Sequence, residues 1–292
     1  MHGMGHILIV GGERPFVDAL RTSSQLAGHQ IAVCADALDA VRHARRNPID
    51  VLITDPATPA DHDLILVDEI RALRSDVRTI VLAPALTNAQ VLQAIRGHVF
   101  ACFSEPIEVA EVAEMVRSAI QASEWRDGIE VVSGLQNWLT LRVACRLLTA
   151  DRLTRFISEW RADVPSDERD LLMTAFREML LNAMEHGAGF DPHKVIQVTA
   201  ARTARAIVFH FLDPGDGFDH ADLRHAAQSS EPNHVLETTS HRAETGLRPG
   251  GFGMLIVRQV ADELVYNEKG NEVLMIKHTD RERRPRGSAP DG

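Results

Sequence analysis

Five short apolar runs constrain this chain more than any other feature. They are HILIV at 6–10, QIAVC at 30–34, DVLIT at 50–54, RTIVLA at 78–83 and VFACF at 99–103. Each is rich in β-branched residues and too short for a buried helix. The segments between them, such as FVDALRTSSQLA and DLILVDEIRALR, carry apolar residues at helical spacing. Strand and helix alternating five times predicts a doubly wound, five-stranded parallel sheet covered on both faces. In such sheets functional groups collect at the carboxyl ends of the strands. Here those ends are Gly11, Gly12 and Glu13 after the first, Asp55 with Pro59 after the third, Ala83 after the fourth and Glu105-Pro106 after the fifth.

The chain has 292 residues, enough for two ordinary domains, so the sheet accounts for its first half only. The expected division is 1–124 for this domain, a joint at 125–135 broken by Gly128 and Gly134, a second domain at 136–279, and a tail at 280–292. The second domain reads as a strand, LTLRVAC, then two helical stretches, ADRLTRFISEWRAD and ERDLLMTAFREMLLNAMEHG. Ser166 and Asp167 are expected to cap the second of these. Neighbouring strands KVIQVTAAR and ARAIVFHFLD follow, then a polar stretch at 219–249, a helix FGMLIVRQVADEL and a last strand EVLMIKHT. Grouped strands and helices predict a mixed sheet with helices on one face, an α/β two-layer sandwich.

Three motifs lie on that second frame. In EMLLNAMEHG, Glu178 and Asn182 are four apart and share a helix face, with His186 one step further. A carboxylate and an amide oxygen on one face suit a Mg²⁺-nucleotide site; a plain polar helix face is the alternative. In DPGDGF, Gly215 and Gly217 permit a tight turn after a strand and Asp213 can accept from an amino group. In RPGGFGMLIV, Gly250, Gly251 and Gly253 open an apolar helix whose N–H groups favour phosphate. Either glycine-rich stretch alone also fits an ordinary turn.

Both halves resemble known families. The first resembles a response-regulator receiver domain, on strand order, Asp55 with Pro59, and Glu105-Pro106. That resemblance implies an acid pair, a phosphoacceptor aspartate, a hydroxyl and a lysine at the four strand ends. Only the acceptor position, Asp55, is kept; the others are Gly11-Gly12, Ala83 and Glu105. Mg²⁺ takes oxygen ligands in near-octahedral geometry, and two anionic ones are missing. The expectation is a receiver retained for packing, docking or dimerisation, with Asp55 vestigial.

The second half, in the order E-x-x-x-N, D-x-G-x-G-F and G-x-G, resembles the Bergerat-type (GHKL) ATP-binding fold, and within it the anti-sigma-factor serine kinases. The resemblance implies ATP and Mg²⁺ as cofactors. It makes Glu178 the base for a partner's serine or threonine and Asn182 the metal ligand. Asp213 becomes the adenine reader, and Gly215, Gly217, Gly250, Gly251 and Gly253 the pocket and phosphate loop. His186 and Arg248 join as nucleotide contacts, with 219–249 as the lid. A histidine kinase of ordinary architecture is excluded, because residues 123–170 hold no histidine to accept phosphate.

The resemblance further implies a protein partner, a sigma factor or an anti-sigma antagonist, in a partner-switching pathway. A homodimer is compatible. An ATP-gated binding module without catalysis is the other class of reading. A net charge of -10 argues against a general nucleic-acid binder. The basic run RERRPR reads as solvated tail, and His220, His225, His234 and His241 as solvated lid residues. Three cysteines without ligand spacing, no signal-peptide pattern and no long apolar run make a cytoplasmic protein off the membrane the expectation.

Overall fold

The computed structural model describes residues 4–12, 14–122, 127–160, 164–217 and 252–279. The first half holds strands β1 (His6–Val10), β2 (Gln30–Cys34), β3 (Val51–Ile53), β4 (Arg78–Ala83) and β5 (Ala101–Ser104). They form one parallel sheet in the order β2-β1-β3-β4-β5. Its helices are α1 (Arg14–Thr22), α2 (Ala37–Arg46), α3 (Ala60–Leu73), α4 (Asn88–Arg96) and α5 (Val109–Gln121). This is the flavodoxin-like winding, with its ligand edge at the strand ends. Two cores flank the sheet. Ile7, Ile9, Ile53, Leu82 and Val116 lie in one, and Leu8, Val10, Leu52, Leu66 and Ile70 in the other. Adjacent strand residues thus enter opposite cores, as the pleat requires.

The second half is built on β6 (Ile129–Leu135), β7 (Trp138–Ala144), β8 (Val195–Arg202), β9 (Ala206–Leu212), β10 (Glu263–Tyr266) and β11 (Glu272–His278). Their order is β10-β11-β9-β8-β7-β6, and every pair is antiparallel. Among the described residues three α-helices belong to this half: α6 (Leu147–Trp160), α7 (Ser166–Asn182) and α8 (Phe252–Val260). Their apolar sides share a core with Leu139, Leu141, Ile196, Val198, Phe209 and Phe211. Phe176 of α7 meets Phe209 edge-on at 4.9 Å and Phe211 at 5.3 Å.

Four expectations are corrected. The sheet is antiparallel throughout, not mixed. The stretch 125–135 contains strand β6, paired with β7, rather than only a joint. The FGMLIVRQVADEL helix stops at Val260, and Glu263–Tyr266 turn back as β10 on β11. Neither Ser166 nor Asp167 caps α7; Pro165 holds the cap position and no side chain bonds there.

The two halves share apolar packing. Val91, Leu92 and Ile95 of α4, with Val99 and Cys102, belong to the same cluster as Ile129, Leu153, Phe156 and Trp160. Gly134 of β6 lies under Leu92, whose Cδ1 would be 2.7 Å from any Cβ there.

Candidate functional site

Helix α7 turns its apolar side to the sheet and its polar side to α8. Leu172, Phe176, Met179, Leu180 and Leu181 are buried. A Cβ on Gly253 would stand 2.2 Å from the Glu178 Oε2. With glycine there the start of α8 lies close to the carboxylate; any Cβ would make the Glu178 side chain shift. One residue on, Met254 Sδ accepts from Asn182 Nδ2 at 3.4 Å. The amide oxygen of Asn182 is thus not the atom that α8 engages.

After Asn182 the helix widens into a single π turn, Ala183–Gly187. Such turns break helical phase and concentrate at functional sites. His186 therefore does not continue the Glu178–Asn182 face as one more α-helical step, which corrects that expectation. It is exposed and lies near Asp213. Gly187, at the end of the π turn, carries Asp213 on its surface: a Cβ there would be 2.1 Å from the Asp213 Cγ.

Asp213 follows β9 and is fixed on three sides. Its N–H donates to Asn271 O, and Asn271 Nδ2 donates to its carbonyl, both at 3.0 Å. Its Oδ1 accepts the Gly215 N–H at 2.8 Å. Burial pushes the carboxyl above its usual range, while the Gly215 bond, Lys269 and His186 pull it back. Lys269 Nζ donates to Gly215 O at 2.8 Å. Gly217 has φ 82° and lies where a Cβ would stand 1.8 Å from Lys269 O, so no other residue fits.

The structure thus brings Glu178, Asn182, Gly253, Asp213, Gly215 and Gly217 onto two adjoining surfaces of one domain. Arg248, Gly250, Gly251 and the polar stretch with His220, His225, His234 and His241 lie outside the described residues. Four contributors were missed by sequence reasoning: Gly187, Met254, Lys269 and Asn271. Gly187 reads as a mere helix end, and NEKGNE as a mere turn. Nothing in their spacing says that they meet Asp213.

At the first half's strand ends the geometry is different. Asp55 Oδ1 accepts the Ala57 N–H at 3.0 Å. Gly11 has φ 57°, and a Cβ there would stand 2.3 Å from Asp55 Oδ2. Ala83 is buried and Glu105 exposed. Among the described residues no group of three or more His, Cys, Asp or Glu could hold a metal. Cys34, Cys102 and Cys145 are free thiols. Among the described residues no helix is long and apolar enough to cross a membrane.

Residues 144–277 match the family described as histidine kinase-like ATPase domain. A curated relative, the DNA-binding transcriptional regulator NtrC of Azospirillum brasilense, is 24% identical over 117 residues. The match covers 40% of this chain and only 24% of that relative. Among solved structures, a CheY-like receiver domain protein from Methanospirillum hungatei is similar at 15% identity. It covers 42% of this chain and 98% of its own, with a TM-score of 0.38. A response regulator from Thermotoga maritima is 16% identical, covering 40% and 98%, with a TM-score of 0.36. Residues 144–277 are thus similar to a histidine kinase-like ATPase domain, a family whose description implies ATP binding, and they follow a five-stranded parallel sheet.

Proposed function

We propose that this protein is a signalling regulator that binds Mg-ATP in its second half and transfers phosphate to a serine or threonine of a small partner protein. The observation that carries the reading is the meeting of three separated segments: Glu178 on Gly253, Asn182 on Met254, and Asp213 on Gly187 and Gly215. The donor set fits the cofactors. Asp213 stands in a cradle of two glycines that any Cβ would fill, a shape suited to an adenine amino group beside a carboxylate acceptor. Asn182 offers an amide oxygen for Mg²⁺, which when bound would neutralise phosphate charge.

In this reading Glu178 takes the proton from the partner's hydroxyl. Its neighbour Gly253, at the start of α8, keeps that carboxylate against a helix N-terminus. The partner is a sigma factor or an anti-sigma antagonist of a partner-switching pathway, and the setting is the cytoplasm. The receiver-like half serves contacts, with Asp55 retired from phosphorylation.

Calorimetric titration with ATP, with and without Mg²⁺, tests the site. Wild type should bind with Mg²⁺, and Asn182→Ala should weaken that binding. Glu178→Gln should bind ATP but lose transfer to a cognate partner. Undiminished transfer would remove Glu178 from its role. A second reading, an ATP-gated module that sequesters its partner without catalysis, is favoured by the first half, where glycines replace acids. Binding without any phosphoprotein would select it.

A further inference from the structure

We propose that the receiver-like half is a positioning element for the nucleotide site, acting through Arg152, Asp151 and Arg177 on the turn that carries Glu178 and Asn182. The inference rests on the reading of that turn given above.

Helix α6 is gripped from two sides. Towards the first half, the buried Arg152, 1% exposed, spends its guanidinium on backbone carbonyls around the α4–β5 turn. Nε donates to Phe100 O at 2.8 Å, Nη2 to Val99 O at 3.0 Å and Nη1 to Asp127 O at 2.8 Å. Nη1 also pairs with Asp127 Oδ1 at 2.8 Å, and the group lies 4.9 Å from the Phe100 ring centroid. A rigid planar fork held at three carbonyls fixes both the rotation and the height of α6; a lysine's point charge would fix neither. Three and seven residues on, Arg155 and Glu159 continue the same side. Arg155 Nη1 meets Glu111 Oε2 at 2.9 Å, and Ser104 Oγ donates to Glu159 Oε2 at 2.6 Å.

Towards the nucleotide site, the neighbouring residue takes over. Asp151 Oδ1 accepts Arg177 Nε at 2.8 Å and Nη2 at 2.7 Å. Arg177 directly precedes Glu178, and Asn182 follows one turn later. The pair is partly exposed, and exposed ion pairs contribute little stability. Its two-donor geometry instead sets where that turn of α7 lies along α6. A displacement of the α4–β5 turn therefore reaches Glu178 through two adjacent residues of one helix. Adhesion between the halves would need Arg152 but not the Asp151–Arg177 pair.

The full chain tests this as wild type, Arg152→Lys, Asp151→Asn and the swapped double variant Asp151→Arg/Arg177→Asp. Amide hydrogen exchange is followed at 178–187, with 195–212 as the control, beside calorimetry with Mg-ATP. Asp151→Asn should melt within about 2 °C of wild type. It should nonetheless exchange about tenfold faster at 178–187, with the control unchanged. Arg152→Lys should likewise speed exchange at 178–187, with a larger fall in melting temperature, and the swapped double should return towards wild type. If Asp151→Asn exchanges like wild type at 178–187, the relay is overturned and Arg152 is an adhesive only. Should Arg152→Lys not fold, Asp151→Asn and the swap decide alone. If wild type does not bind Mg-ATP, the nucleotide reading fails, and the exchange data still decide the relay.

Discussion

At Gly11 any side chain would meet a steric barrier. The residue sits in the left-handed region, and the Asp55 carboxylate rests on its Cα side. That glycine and not an acid follows this strand was legible in the sequence; the close approach of Asp55 was not. Gly11→Asp combines a left-handed non-glycine with overpacking, and should destabilise by about 2–4 kcal/mol. A thermal melt with and without Mg²⁺ checks this; stabilisation by Mg²⁺ would contradict it.

Beneath Asp55 lies Asp63, 4% exposed, with no hydrogen-bond partner at Oδ2. Burial, opposed by the Thr54 hydroxyl and aided by Asp55, pushes its carboxyl up to about 7. In the unfolded chain the group ionises near pH 4, at about its ordinary value. Between those values the folded state holds the extra proton, so this group makes stability fall as pH rises from about 4 to about 7. Asp63→Asn should therefore raise the melting temperature at pH 8, by roughly 1–2 kcal/mol of stability, and give no gain at pH 4. Parallel melts at the two pH values decide it.

Among elements, those with strong periodicity were legible and those set by neighbours were not. The five parallel strands follow from their apolar runs. Strand β6 was hidden because Gly134 reads as a breaker. Its glycine is there because Leu92 of the other half lies over it, a close approach of the kind that glycine in a strand marks. Strand β10 was hidden because VRQVADEL keeps helical spacing beyond the end of α8, and only its ladder with β11 makes it a strand. The widened π turn was likewise invisible, since no residue type demands it. Its role is to bring Gly187 under Asp213. Gly187→Ala should leave the fold intact and weaken ATP binding at least about tenfold, by displacing the Asp213 carboxylate that lies on it. Calorimetry reads this directly.

Across the whole molecule, the composition and the strand count show two domains but not their union. The halves share a cluster of buried residues, a buried arginine fork and the contact of Leu92 on Gly134. Breaking a buried charge from its partners costs on the order of 3–5 kcal/mol, a large part of a domain's stability. The full chain should therefore melt in one calorimetric transition with matching van't Hoff and calorimetric enthalpies. A fragment of residues 127–279 should melt lower by more than about 10 °C. Two separated transitions in the full chain would refute the union.

The arginine fork also bears on how such a chain can be recombined. A receiver joined to its effector by a tether can be exchanged for another receiver at the level of whole genes. Here the acceptors that the first half offers Arg152 are main-chain carbonyls, at Val99 and Phe100. At this fork the path of the first half's backbone is what is recognised, while Glu111 and Ser104 add side-chain contacts beside it. A transplanted first half would have to bring a turn of the same trace for Arg152 to keep these acceptors.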